Sequence, residues 1–201
     1  MDPTSNAAKP LQPGREPPPA VVATFEELRE TPSDINEHLD LLRSLSSQCE
    51  HVTEFGMRGA VSTVALLAGQ PSTLISWDIN PIAVISQSIA NLVAFSGRTS
   101  FQPRVGDTTK ISIEPTEFLF IDSLHTARQL KKELLEHGEK VSRFIAFHDT
   151  KTFGYRGEDG TEPGLRMAIR WFQKDHMFPV WKLVEDRENN NGLVVIERVG
   201  W

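Results

Sequence analysis

Short runs rich in β-branched and aromatic residues alternate along this chain with stretches whose apolar residues recur at helical spacing, and that alternation constrains the fold most. His51-Val-Thr-Glu-Phe55, Thr73-Leu-Ile-Ser-Trp77, Phe118-Leu-Phe-Ile121 and Phe144-Ile-Ala-Phe147 are strand-like. The last two are continuously apolar, as strands covered on both faces are. Ser62 to Ala68, Pro81 to Phe95 and Thr126 to about Lys140 read as the helices between them. The pattern predicts βαβ units and hence an α/β, doubly wound, mostly parallel sheet. The end of the chain differs. Trp181–Asp186 and Leu193–Arg198 lie too close for a crossover helix, and Asn189-Asn-Asn-Gly192 between them supplies residues that tolerate positive φ. An antiparallel hairpin is therefore expected to close the sheet.

Upstream of the first strand, Pro3, Pro10, Pro13 and Pro17-Pro-Pro19 crowd a stretch almost without large apolar side chains, so residues 1–20 are expected to be a disordered tail. Residues 21–48 read as a helical cover. Phe25-Glu-Glu-Leu28 forms a first piece, Pro32 interrupts it, and Asp34, with Glu37 three positions on, caps a second helix carrying Ile35, Leu39, Leu42 and Leu45. Residues 49–201 form the core domain, with no internal repeat. A length of 201 residues suits one such domain. With 21 Lys+Arg against 27 Asp+Glu, the net charge of -6 offers no overall basic field for nucleic acid. The single cysteine, Cys49, excludes an internal disulfide and fits a reducing compartment. The apolar runs are strand-sized and Met1 is not followed by a signal pattern, so a soluble, cytoplasmic chain without membrane contact is expected. The helix from Asp34 to Ser47 could pair two chains into a homodimer through any apolar surface it leaves uncovered.

Ligands of a doubly wound sheet bind at the carboxyl ends of its strands, and four of these ends carry candidate chemistry. Glu54-Phe-Gly-Met-Arg-Gly59 is a glycine loop between strand and helix, suited to close backbone approach and to N–H donation toward negative charge. Asp78 follows the second strand, where a carboxylate can accept from both ribose hydroxyls, and Asn80-Pro81 reads as a helix start. Asp122 with His125, and His148 with Asp149, end two apolar strands expected to be neighbours. Carboxylates and imidazoles converging there can bind a divalent cation or handle a proton. Each feature also has a plain structural use, as a bare turn, a helix cap or a backbone hydrogen bond.

Together, Glu54–Thr63, Asp78, Gly106-Asp107, Ile121-Asp122 and the closing hairpin make the chain from Asp34 onward resemble a class I S-adenosylmethionine-dependent methyltransferase. Phe120-Ile-Asp-Ser-Leu-His125 and Phe147-His-Asp-Thr150 are further similar to the branch that includes cephalosporin-hydroxylase-like and macrolide sugar O-methyltransferase proteins. Met57-Arg58 departs from the small residues usual in that glycine loop. The resemblance implies a seven-stranded, Rossmann-like sheet and S-adenosylmethionine as cofactor. Gly56 and Gly59 would line its methionine part, Glu54 would reach its amino group directly or through water, Asp78 would hold the ribose, Ile79 or Asn80 would flank the adenine, Asp107 would sit by the adenine amine, and Asp122 would be the fourth cofactor-binding acid. It also implies Asp122 and Asp149 as ligands for Mg2+ or another divalent cation.

Methyl transfer to a hydroxyl needs alignment and removal of the acceptor's proton, so Asp122, His125 and His148 are the candidate catalytic groups, with a small molecule or sugar as acceptor. Residues 150–164, rich in glycine, could fold over that acceptor with Phe153, Tyr155 and Arg156 touching it, and Met167, Ile169 and Phe172 read as core residues of the next helix. Two alternatives stand beside this reading. One is a non-catalytic protein that binds S-adenosylmethionine or a partner. The other is an NAD-dependent oxidoreductase, disfavoured because Gly56-Met-Arg-Gly59 lacks a three-glycine fingerprint.

Overall fold

A computed structural model describes residues 16–84, 86–160, 163–175 and 180–199. Seven strands form one sheet in the order β3-β2-β1-β4-β5-β7-β6. β1 (His51–Phe55), β2 (Thr73–Asp78), β3 (Ser100–Val105), β4 (Thr116–Ile121) and β5 (Val141–His148) run parallel. β6 (Val180–Arg187) and β7 (Leu193–Val199) form the antiparallel hairpin, with β7 against β5. The sequence pattern leaves β3 unmarked, because Pro103 interrupts it. A proline fits there since β3 is an edge strand and needs no donor on its outer side.

Side chains alternate between two buried layers. Phe118 and Phe120 of β4 pack on one face with Leu39, Leu42 and Leu66, while Leu119 and Ile121 pack on the other with Leu130, Leu134 and Phe172. On the first face lie α1 (Pro19–Glu30), α2 (Leu39–Ser46), α3 (Val61–Ala68) and α5 (Gln87–Phe95). On the second lie α6 (Ala127–His137) and α7 (Leu165–Asp175). α3 is buried from Ser62 to Ala68 because α1 and α2 cover the side turned away from the sheet.

Several boundaries differ from the expectations. Residues 1–15 of the expected tail lie outside the described residues, and α1 begins at Pro19, inside it. A proline in the first turn loses no hydrogen bond and carries a preset helical φ, so the proline run starts the helix instead of preventing one. Asp34 does not cap the second helix. Oγ of Ser33 takes the N–H groups of Ile35 and Asn36 instead, a 3₁₀ turn (Asn36–His38) leads into α2, and Asp34 turns to Arg58 at 2.6 Å. Leu39, Leu42 and Leu45 are all buried within the chain, and Leu41 is partly buried against the same core. The helix expected over 81–95 is two: α4 (Pro81–Val84) ends early, and Oγ of Ser86 caps α5 by accepting from the N–H of Ile89. On α7, Ile169 and Phe172 are core as expected, but Met167 is half exposed. No described helix is long and apolar enough to cross a membrane.

Candidate active site

Strand order reverses between β1 and β4, and the crevice beyond their carboxyl ends opens into a cavity of about 860 Å³. Its floor is set by the glycine loop. Gly56 has φ +87°, its N–H donates to the Trp77 carbonyl at 2.8 Å, and a Cβ there would lie 2.0 Å from the carbonyl oxygen of Asp122. Glycine is therefore required at Gly56 by the closeness of β4, whereas a Cβ on Gly59 would meet nothing within 4 Å. Met57-Arg58 fits the loop because the backbone turns left-handed at Arg58 (φ +40°) and Ala60 (φ +64°), which buries Met57 in the core and leaves Arg58 on the cavity wall. No side chain caps the N-terminus of α3 behind the loop.

Gly56, Gly59, Asp78, Ile79, Asn80, Asp107, Asp122 and His125 all line this cavity, while Glu54, His148 and Asp149 do not. Asp78 is held by two backbone donors, the N–H of Arg58 on Oδ2 and that of Asn80 on Oδ1, each at 2.7 Å. The carboxylate is thus oriented before any ligand arrives. Asn80 also accepts from the N–H of Ile82, the expected helix start, and Ile79 and Ile82 stand largely exposed beside it as an apolar wall. Asp107 accepts from the N–H and hydroxyl of Thr109 and pairs with Lys110 at 2.7 Å. Those contacts, the lysine's first, hold its carboxyl down at about 2.

Glu54 lies beneath the loop, fully buried. The hydroxyls of Ser62 and Thr63 donate to it at 2.6 and 2.8 Å and that of Ser76 at 2.5 Å. Burial pushes its carboxyl up to about 7 although the three hydroxyls act in the opposite sense. Its present role is to tie β1, β2 and α3 together under the glycine loop.

At the ends of β4 and β5 the expected neighbours converge. Nε2 of His125 lies 3.3 Å from Asp122 Oδ1 and 3.0 Å from Asp149 Oδ2, its Nδ1 lies 2.6 Å from Glu158 Oε2, and its ring stacks on Phe153 with centroids 4.9 Å apart. Carboxylates only accept, so both ring nitrogens carry protons. Burial opposes that charge, but the hydrogen bonds to Asp122 and Asp149 prevail and raise the imidazole to about 10. Nδ1 of His148 lies 3.2 Å from Asp122 Oδ1 and 3.6 Å from Asp149 Oδ2. Burial alone would push Asp122 up, yet the two imidazoles hold it far below the usual carboxylate range.

One ligand atom each from Asp122, His148 and Asp149 falls within a 4.8 Å set, which fits a divalent cation. Two orphaned acceptors strengthen the fit. Asp149 Oδ1 and Thr150 Oγ1 are buried without a hydrogen-bond partner among the described residues, and Asp149 is held at φ +58°, an unusual conformation for a non-glycine residue.

The glycine-rich loop closes over this cluster by a different set of contacts from the expected one. Phe153 touches His125, but Tyr155 is 77% exposed and Arg156 donates to the Gly160 carbonyl within the loop. Among the described residues of the loop, Glu158 is the one that lines the cavity. Neither Glu158 nor His38, buried at 5.8 Å from the His148 ring, carries a sequence signal, because no spacing rule links them to residues so distant in the chain.

By sequence, the chain matches no protein-family profile and no curated protein. By structure, it is similar to the O-methyltransferase TomG of Streptomyces achromogenes, involved in tomaymycin synthesis and solved with S-adenosylmethionine, at TM-score 0.63 and 14% identity over 90% of each chain. The chain has the Rossmann-like methyltransferase fold. An O-methyltransferase of Bacillus cereus in complex with S-adenosylhomocysteine gives TM-score 0.60 and 15% identity over 88% of this chain and 91% of that one. The Podospora anserina methyltransferase PaMTH1, also bound to S-adenosylhomocysteine, gives 0.60 and 16% over 91% and 89%.

Proposed function

We propose that the protein transfers a methyl group from S-adenosylmethionine to a hydroxyl of a small molecule or sugar. The observation that carries this reading is the continuity of one cavity from the preset Asp78 carboxylate, past Gly56, to Asp122 and His125. Ribose hydroxyls donating to Asp78, adenine against Ile79 and Ile82, and the methionine part over Gly56 and Gly59 would aim the sulfonium methyl at the acid and imidazole cluster. Glu54 supports the floor of that site from beneath. Asp107 keeps lone pairs for the adenine amine, although its ion pair with Lys110 competes for them. The structural neighbours crystallised with S-adenosylmethionine or S-adenosylhomocysteine support the choice of cofactor over NAD.

The donor loses its positive charge during transfer, so this chain's tasks are alignment and control of the acceptor's proton. Asp122, His148 and Asp149 would hold a divalent cation. When bound, such an ion lowers the pKa of a coordinated hydroxyl. His125 faces carboxylates on both ring nitrogens, Asp122 and Asp149 on Nε2 and Glu158 on Nδ1, and acts toward them as a donor. It becomes a base only when Asp122 and Asp149 no longer hold its Nε2 proton. A second reading is a protein that binds S-adenosylmethionine without turnover, in which His125 stays engaged by Asp122, Asp149 and Glu158 as a structural tie.

The deciding experiment is incubation of the full chain with methyl-labelled donor and a panel of hydroxylated sugars and small metabolites, with Mg2+ and with chelator, alongside calorimetry with S-adenosylhomocysteine. Transfer of label that depends on Mg2+ is the expected result. Binding of S-adenosylhomocysteine with no acceptor labelled would favour the second reading, and no binding would overturn both.

A further inference from the structure

The tip of the β6–β7 hairpin reaches the far side of the acid and imidazole cluster. Nε2 of His148 lies 3.0 Å from the carbonyl oxygen of Asp34 and 3.4 Å from that of Asn190. Nε2 of His38 lies 3.1 Å from the carbonyl oxygens of both Asn189 and Asn190. A carbonyl oxygen only accepts, so each Nε2 must carry the hydrogen. For His148 this holds whether the ring is charged or neutral, and it turns Nδ1 toward Asp122 and Asp149. The side chain of Asn190 fastens the turn to the segment carrying Asp34. Its Nδ2 donates to the Ser33 carbonyl at 2.7 Å and to Asn36 Oδ1 at 3.3 Å, and its Oδ1 accepts the N–H of Glu37 at 3.3 Å.

We propose that Asn190 and His38 are positioning residues for His148: together they lock the two carbonyls that keep hydrogen on its Nε2, so that Nδ1 is the atom presented to a bound cation. Asn190 does so by joining the hairpin tip to the segment carrying Asp34, and His38 by donating to the same turn. Imidazole ligands of metals are commonly oriented through a hydrogen bond from the other ring nitrogen, and loss of such a partner weakens metal affinity by about 10–100-fold. The presentation of Nδ1 rests on the proposed cation site. The fixed Nε2–H does not.

The test is therefore read twice. In the cation-free full chain labelled with 15N-histidine, long-range 1H–15N spectra report which nitrogen of His148 is protonated and how fast that proton exchanges, the signal being assigned by its loss in His148→Gln. Titration with Mn2+ alone, followed by electron paramagnetic resonance, reports cation affinity. Asn190→Gly keeps access to the native φ of +46° while removing the three side-chain hydrogen bonds. It is expected to speed exchange of the Nε2 proton and to weaken Mn2+ binding by about tenfold or more, with S-adenosylhomocysteine affinity unchanged. His38→Leu should act likewise, and His38→Gln, which keeps an N–H for the turn, should restore most of the loss. Hydrogen on Nδ1 alone in the neutral wild-type ring, slow exchange retained in Asn190→Gly, or indistinguishable behaviour of the two His38 variants would overturn the proposal. Failure of the wild type to bind Mn2+ would remove the cation site, while the state and exchange of Nε2 would still decide the positioning role.

Discussion

Replacing Gly56 by alanine should separate the two glycines of the loop by mechanism. At Gly56 the added Cβ would sit 2.0 Å from the Asp122 carbonyl oxygen and 2.7 Å from its carbonyl carbon, both backbone atoms, and φ is +87°. A non-glycine residue in such a conformation costs about 1–3 kcal/mol, and forcing the neighbouring backbone aside adds about 1–3 kcal/mol. The total, about 2–6 kcal/mol, corresponds in a domain of this size, at about 2–4 °C per kcal/mol, to a fall in melting temperature of about 4–24 °C. The displaced atoms belong to Asp122 at the cavity edge, so affinity for S-adenosylhomocysteine should fall as well. At Gly59 the same methyl meets nothing and φ lies outside the left-handed region, so Gly59→Ala should leave the melting temperature within about 2 °C, or raise it slightly by restricting the unfolded chain. Differential scanning calorimetry of the two variants, with calorimetric titration of S-adenosylhomocysteine, reads both effects. Equal melting temperatures for Gly56→Ala and wild type would refute the close approach of β1 and β4 from which the site is built.

Two further outcomes follow from individual carboxylates. Glu54 is raised from an ordinary 4.5 to about 7 on folding, so the native state binds its proton more tightly than the unfolded chain; the stability this adds is full below pH 4.5 and is lost as pH rises through 7. The change is on the order of 3 kcal/mol, and Glu54→Gln should remove a fall of that size between pH 5 and 7, read as the difference in urea midpoint between variant and wild type because His38, lowered to about 4, gains stability over the same window. A variant with the slope of the wild type would show that the burial of Glu54 is relieved in solution. Asp78→Ala removes the acceptor of two backbone N–H groups and of the proposed ribose contacts, and calorimetry should find S-adenosylhomocysteine bound at least about thirtyfold more weakly; undiminished affinity would place the cofactor elsewhere.

The parts of this molecule legible in its sequence are those fixed by period and by chain neighbours. Continuous apolar runs marked β4 and β5 as central strands, Asn-rich punctuation marked the hairpin, and acids at strand ends marked Asp78 and Asp122 as cavity residues. What escaped depends on tertiary contact. Pro103 masks β3 because a proline is acceptable only once the strand is known to lie at an edge. Glu54 reads like any acid near a strand end, and the convergence of the Ser62, Thr63 and Ser76 hydroxyls on it, which makes it a buried tie, has no local signal. The Asn189–Gly192 turn carries the same lesson further. Positive φ at Asn190, Asn191 and Gly192 accounts for those residues as turn formers, and a glycine at Asn190 would serve a turn as well. The side-chain amide matters only because Ser33, Asn36 and Glu37 come to it from the opposite end of the chain, and through them the carbonyl of Asp34 is set against His148. A residue chosen for backbone conformation can thus carry a second constraint that no local pattern records, and substitution by the best turn former is the change that separates the two.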